Sequence, residues 1–270
     1  MNLLSVNREK CTKCSACVEV CPSCIIQMND EFPQLISDQD CISCGHCVAV
    51  CPTKALDHPL APLAAQVPIK KDLILQPNMA IQFLRSRRSI RCYKKKPLSK
   101  ERLFQLLDIA RFAPTSANIQ GISYLVISNA EKLANMANAT IEWMEQEVKN
   151  GSLFTNSYKN YIDNFRCGKD TVLRGAPHLI VAISPKSYST ANRENSRFTL
   201  EYVELLAPVL GIGTCWAGLV QHCAFSKYRP LLEIIDLPED KVVVGAILAG
   251  SPKYSYHRLV DRNPLDVSWL

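Results

Sequence analysis

Eight cysteines near the N-terminus fall into one pattern used twice, C-x2-C-x2-C-x3-C-P: Cys11, Cys14, Cys17, Cys21 and Pro22, then Cys41, Cys44, Cys47, Cys51 and Pro52. Each member recurs thirty positions later. Two-residue spacings let one tight loop present three sulfurs, and the proline ends that loop. This is the ligand spacing of two cubane iron–sulfur clusters, in which the fourth cysteine of each run serves the other cluster. Structural zinc is the competing chemistry, but its sites use paired cysteines and four ligands in all. The chemistry implied is electron transfer.

A second group of residues suits anion binding. Arg87, Arg88, Ser89 and Arg91 place three guanidinium groups and a hydroxyl within five positions, and forked donors at a turn match a phosphate dianion. On composition alone the wider run from Arg85 to Lys96 suits a solvated face or a nucleic-acid patch as well. Gly211 and Gly213 begin like a dinucleotide fingerprint, but Trp216 stands where its third glycine belongs, so no Rossmann-type nicotinamide site is indicated. His46, His58, His178, His222 and His257 are scattered and suggest neither a metal site nor a triad. Cys24, whose repeat counterpart is Lys54, lies outside the ligand set and reads as a buried small hydrophobe. Cys92, Cys167 and Cys223 show no ligand spacing and read as buried thiols too.

The elements that must position these residues divide into modules. Of the net charge of +6, residues 1–58 carry −3 and the remainder +9. Residues 59–79 hold Pro59, Pro62, Pro68 and Pro77 without a glycine, which reads as a semi-rigid extended connector whose many apolar side chains are unsuited to water. Within 1–58, Met28 to Ile36 reads as a short hairpin. A helix opens at Met79, and within 80–270 Ser99 caps a second that Pro114 stops and a third spans Ala130 to Lys149. A fourth is expected over Ser196 to Leu210, with a kink at Pro208. Strands are expected at Ile122–Ile127, His178–Ile183 and Val242–Ala249. Helices outnumber strands without regular alternation, which predicts an α+β layer fold. Phe154, Tyr158 and Tyr161 read as core aromatics, with a lid as the alternative.

The two cysteine runs resemble those of bacterial two-cluster ferredoxins. That resemblance implies that Cys11, Cys14, Cys17 and Cys51 hold one [4Fe-4S] cluster, and Cys41, Cys44, Cys47 and Cys21 the other. Further on, R-R-S-I-R-C-Y, then Pro114-Thr-Ser-Ala-Asn-Ile-Gln120, then G-A-P-H-L-I-V, then Gly211-Ile-Gly-Thr-Cys-Trp-Ala-Gly218 together resemble the nitroreductase family of FMN enzymes, in order and over about 190 residues. This resemblance implies that Arg87, Arg88, Ser89 and Arg91 bind the FMN phosphate and nearby flavin edge. Ser116, Asn118 and Gln120 would bond the flavin ring or ribityl chain. Cys215, Trp216, Ala217 and Gly218 would line the ring's other side, and Arg258 would close on the phosphate. Gly121-Ile122 stands where the family often has Pro-Trp, and family members are typically intertwined homodimers with FMN between subunits.

A small two-cluster ferredoxin domain (1–58), a connector (59–79) and a nitroreductase-like FMN domain of α+β architecture (80–270) are therefore expected. The implied activity is that of an FMN-dependent oxidoreductase. It would take electrons from a low-potential ferredoxin-type or reductase donor and pass them to a small organic acceptor: a nitroaromatic, a quinone or an activated alkene. A non-catalytic redox sensor or electron carrier with the same cofactors is the alternative. The N-terminal residues lack the features of a signal peptide and no apolar run reaches membrane-span length, so a cytoplasmic protein is expected, with no membrane and no nucleic-acid partner.

Overall fold

A computed structural model describes residues 3–270. Contacts group the chain into two units, one running up to Ile74 and including Ala117–Ile119, the other Leu75–Ser116 with Gln120–Leu270.

The first unit folds as the repeat dictates. It contains β1 (Ser5–Val6), α1 (Ala16–Glu19), β2 (Ile26–Met28), β3 (Pro33–Leu35), α2 (His46–Val50) and β4 (Leu56–Asp57). β1 pairs antiparallel with β4, and β2 with β3. The second pair is the hairpin expected between Met28 and Ile36. The backbone repeats with the sequence: left-handed residues occur at Lys13, Ser15 and Cys24, then thirty positions on at Ser43, Gly45 and Lys54. Those conformations turn each loop tightly enough to present three cysteines before a short helix begins. A small core of Leu4, Cys17, Ile26, Val48 and Leu56 joins the two halves. Cys24 is exposed, contrary to the buried role expected of it, because it occupies the tight turn that follows the run rather than the strand beyond. Residues 59–76 contain two single turns of 3-10 helix, and Leu60, Val67, Ile69, Leu73 and Ile74 are exposed. Their apolar character does not bury them within one chain.

The second unit contains α3 (Pro77–Ser86), α4 (Lys100–Asp108), β5 (Ser123–Ile127), α5 (Ala130–Lys149), α6 (Thr155–Arg166), β6 (His178–Pro185), α7 (Ser189–Leu206), β7 (Gly213–Trp216), α8 (Gly218–Phe225), α9 (Arg229–Ile235) and β8 (Lys241–Gly250). Four strands form an antiparallel sheet in the order β5-β6-β8-β7. Leu179, Val181 and Ile183 face a core built with α5, α6, α8 and α9, whereas Ile180 and Ala182 face α4 and α7. Both faces of β6 are therefore covered, which explains why it reads as an unbroken apolar run. A bulge against β6 shifts the register of β8, so Val243 and Ala246 share a face despite their odd spacing. α7 lies close on β8: a Cβ at Gly245 would sit 2.8 Å from Leu200 Cδ1, and Ser196 Oγ donates to Val244 O at 2.7 Å.

The α+β architecture is as expected, with differences of detail. Ser99 Oγ accepts from Arg102 N–H, and Asn129 Oδ1 accepts from Lys132 N–H to start α5 at its expected first residue. α7 begins at Ser189 and ends before Pro208, so the proline follows the helix and does not kink it. Its first half was hidden by polar residues that the fold buries, Asn192, Asn195 and Ser196. Trp143 and Tyr158 are core residues with rings 5.6 Å apart, while Phe154 is exposed. Cys223 is buried as expected, but Cys92 and Cys167 are exposed. Cys92 lies in an extended segment and Cys167 caps the end of α6, so neither has a core side to face.

Candidate functional site

Folding gathers the eight cysteines of the repeat into two sets. One cavity is lined by Cys11, Cys14, Cys17 and Cys51, together with Met28, Pro33 and Leu56. The other is lined by Cys21, Cys41, Cys44 and Cys47, together with Ile26, Ile42 and His58. Each set takes three thiols from one run and the trailing cysteine of the other. Among the described residues, no three His, Cys, Asp or Glu side chains converge closely enough to hold a single metal ion. Four thiols lining each cavity are the ligand number of a [4Fe-4S] cluster.

Burial and hydrogen bonds act in opposite senses on Cys17, Cys47 and Cys51. Burial pushes Cys17 up, and it pushes Cys47 up to about 11, against lowering by nearby backbone amides. Burial acts the same way on Cys51, but hydrogen bonds outweigh it and hold that thiol below its ordinary range. Ala55 N–H donates to Cys51 Sγ at 3.2 Å, and the Thr53 hydroxyl lies 3.7 Å away. Thiolates form at such sites when metal replaces the protons.

In the second unit the arginine run is laid against β7. Ser89 bridges Thr214, Ile90 N–H donates to Thr214 O at 2.8 Å, and Tyr93 OH donates to Ile90 O at 2.6 Å. Gly213 permits this approach, since a Cβ there would fall 2.8 Å from Ile90 Cγ1. On either side of Tyr93 the same segment is zipped to the chain after β8, with Lys94 N–H donating to Ser251 O and Lys253 N–H to Cys92 O. The structure thus lays Ser89 and Ile90 against Thr214 and brings Ser89 and Arg91 near Cys215. Burial raises the Cys215 thiol, while Arg91 and a hydrogen bond with Ser89 pull it down.

The arginines differ in what they hold. Arg87 lies 3.7 Å from Glu201 and 3.8 Å from Glu204, both on α7. Glu204 is fully buried, and desolvation raises its carboxyl despite the Arg87 charge. Arg88 has a buried Nη2 without a hydrogen-bond partner, and its guanidinium lies 6.0 Å from the Tyr256 ring. A buried cationic donor left unpaired is costly, and an anion such as a phosphate would satisfy it. Arg258 is exposed on the irregular segment that ends the chain.

The Pro114–Gln120 stretch is a strained loop, with Ala117, Asn118 and Gln120 all at positive φ. Ser116 N–H donates to Asn195 Oδ1 at 3.0 Å, Asn195 Nδ2 donates to Asn192 Oδ1, and Asn192 Nδ2 reaches Gly121 O at 3.5 Å. Gln120 N–H donates to Thr115 Oγ1. Asn118 belongs by its contacts to the first unit, where its Nδ2 donates to Ile42 O at 3.0 Å and Ser43 O at 3.2 Å. Asn192 and Asn195 escaped the sequence reading. Two asparagines three apart on the apolar side of a helix were their signal.

Comparison with known proteins agrees with both halves of this picture. Residues 84–251 match the nitroreductase family model, and residues 10–56 match that of the 4Fe-4S dicluster domain. A protein of Archaeoglobus fulgidus, provisionally named an NADH dehydrogenase/NAD(P)H nitroreductase, is 25% identical over 177 residues, covering 64% of this chain and 85% of its own. A Cr(VI) reductase of a Pseudomonas species is 25% identical over 176 residues, 64% of this chain and 67% of its own. The crystal structure of a nitroreductase with bound FMN from Desulfitobacterium hafniense superposes with a TM-score of 0.57 at 20% identity, covering 70% of this chain and 97% of the other. With its antiparallel sheet covered on both faces and its arginine run against β7, the chain belongs to the nitroreductase family and carries an N-terminal 4Fe-4S ferredoxin domain.

Proposed function

We propose that this protein is an iron–sulfur flavoprotein that passes electrons from two [4Fe-4S] clusters to FMN and on to an organic acceptor such as a nitroaromatic, a quinone or an activated alkene. The carrying observation is the pair of four-thiol cavities on a chain whose larger part has a nitroreductase fold. When bound, clusters exchange single electrons and FMN exchanges one or two, so the pair converts one kind of donor to the other kind of acceptor. The relatives named as reductases and the FMN-bound neighbour support this reading.

The residues present fit both groups. Cys11, Cys14, Cys17 and Cys51 would hold one cluster and Cys41, Cys44, Cys47 and Cys21 the other. Arg88, with its unpaired buried donor, and Arg91 would bind the FMN phosphate, and Ser89 would support them. Arg87 would act with them while neutralising Glu201 and Glu204. Ser116, Asn118 and Gln120 would contact the flavin from the strained loop, Cys215 to Gly218 would line its other side, and Arg258 would close on the phosphate. Positive donors near the flavin favour its reduced, anionic form.

Module boundaries fall at 1–58, 59–79 and 80–270 in this reading. Homodimerisation is part of it: Met79, Ile81 and Leu84 on α3, and Leu265, Val267 and Trp269 near the C-terminus, leave apolar surface exposed on one chain. Sedimentation velocity tests it, and a monomeric holoprotein would refute it. All thirteen cysteines are unpaired, which suits a reducing, cytoplasmic setting; export of the native protein with disulfides formed would contradict that. Among the described residues no helix is long and apolar enough to cross a membrane.

The test of cofactor content is direct. Anaerobically purified protein is expected to contain about eight irons and eight sulfides per chain with one FMN. Zinc in place of iron, or a protein that binds no flavin, would overturn the proposal.

A further inference from the structure

The thirty-residue repeat breaks at one place that matters for the sulfurs. His58 is the counterpart of Met28, and each lines its own cavity: Met28 that of Cys11, Cys14, Cys17 and Cys51, His58 that of Cys21, Cys41, Cys44 and Cys47. A thioether has no hydrogen to donate. An imidazole has one.

His58 is 2% exposed, and its Nε2 lies 3.5 Å from Cys41 Sγ. Its other ring nitrogen fixes which one carries the proton. Leu60 N–H points at His58 Nδ1 at 3.2 Å, so Nδ1 accepts and the hydrogen of the neutral ring resides on Nε2, facing the sulfur. The ring is held there by its own turn. Asp57 Oδ1 accepts from both His58 N–H and Leu63 N–H at 2.8 Å, and His58 O accepts from Ala61 N–H at 3.1 Å. His46, the first residue of α2, also lines this cavity. In the other cavity, Cys51 Sγ accepts from the Ala55 amide and lies 3.7 Å from the Thr53 hydroxyl.

We infer that His58 is a positioning residue that tunes the second cluster alone: its Nε2–H donates to the Cys41 thiolate and raises the reduction potential of the group held by Cys21, Cys41, Cys44 and Cys47. A hydrogen bond to a ligand sulfur stabilises the cluster more when it carries one additional electron, so reduction becomes easier. The balance is simple. One electron arrives from the external low-potential donor, the cluster is reduced, and the proton stays on Nε2. This inference rests on the proposed ligation of a cluster by those four cysteines.

The experiment is a potentiometric titration of the full-length anaerobic protein, followed by EPR, for wild type, His58→Met and His58→Gln. Met makes the two halves of the repeat alike, whereas Gln retains an N–H donor on a side chain of similar reach. With iron content unchanged, one midpoint potential is expected to move to more negative values in His58→Met and to return toward wild type in His58→Gln. The other is expected to stay in place. Unchanged potentials in His58→Met, equal movement of both, or a Gln variant that behaves like Met would overturn the inference. Should His58→Met fail to assemble its clusters, His46→Ala protein labelled with 15N-histidine provides the second measurement. Pulsed EPR of the reduced protein is then expected to show histidine nitrogen coupled to one cluster, and absence of that coupling would overturn the inference. A wild-type protein without iron and sulfide would refute the cluster reading itself.

Discussion

Replacing Gly213 by alanine tests how the arginine run is held. The new Cβ would lie 2.8 Å from Ile90 Cγ1 and 2.9 Å from both Ile90 Cβ and Cγ2. Ile90 cannot turn out of the way, because its branched Cβ is itself in the clash and its backbone is tied to Thr214 O and to the Tyr93 hydroxyl. The segment carrying Arg88 and Arg91 must therefore step back from β7. Overpacking of this kind costs about 1–3 kcal/mol, which for a unit of this size lowers Tm by roughly 2–12 °C. If FMN binding requires the arginines in their original place, affinity falls by the same free energy, or about 5- to 150-fold. Thermal melting by circular dichroism and titration by quenching of FMN fluorescence read the two effects. Gly218→Ala is the control for melting, since its added carbon meets nothing within 4 Å. A Gly213→Ala protein with wild-type melting and wild-type FMN affinity would refute the idea that this close approach positions the phosphate-binding arginines.

Three further outcomes follow from the same geometry. Arg88→Leu is expected to weaken FMN binding by roughly 10- to 150-fold, from loss of about 1.5–3 kcal/mol of charge-assisted hydrogen bonding, without lowering stability; an unchanged Kd for FMN would remove Arg88 from the site. Cys51→Ser is expected to perturb the EPR signal of the cluster shared with Cys11, Cys14 and Cys17 while sparing the other, and Cys21→Ser the reverse; loss of the opposite signal, told apart by combining each variant with His58→Met, would contradict the exchanged fourth ligands. His178 is buried, takes the Leu98 N–H on Nε2 and contacts Ser128 Oγ through Nδ1, and desolvation lowers its pKa below its ordinary value of 6.5. Its folded-state pKa being depressed, the unfolded chain binds more protons between the two values, so the stabilisation is fully present above pH 6.5 and is lost as pH falls through the folded value. His178→Gln keeps an acceptor for Leu98 N–H without titrating, so the stability advantage of wild type over this variant should shrink between about pH 7 and pH 5; a difference independent of pH would count against the buried neutral ring.

What the sequence makes legible is what local spacing controls. The hairpin between Met28 and Ile36, the cap at Ser99 and the apolar run of β6 all depend on neighbours a few positions away, and each appears in the fold where it is expected. Tertiary packing hides the rest. Asn192 and Asn195 precede the helix expected from Ser196, and only the folded chain shows them buried with their amides bonded to Ser116 and Gly121. β7 is four residues long and begins with the glycine that admits Ile90, so it carries little strand signal of its own. Cys24, Cys92 and Cys167 are exposed against expectation because cysteine's usual burial says nothing about a turn, an extended segment or a helix end. His58 reads as one of several scattered histidines, although its place in the thirty-residue repeat makes it the counterpart of Met28 and the fold sets its Nε2 3.5 Å from Cys41 Sγ.

The relay between the two kinds of cofactor is the central claim, and stopped-flow spectroscopy of the anaerobic holoprotein tests it most directly. Mixed with a limiting amount of a reduced ferredoxin-type donor, the protein is expected to lose cluster absorbance first and flavin absorbance afterwards, with the clusters reoxidised as the flavin bleaches. A protein lacking residues 1–58 is expected to retain FMN that dithionite reduces but the donor does not. Clusters that stay reduced beside an oxidised flavin, or a truncated protein that the donor reduces equally fast, would contradict the account.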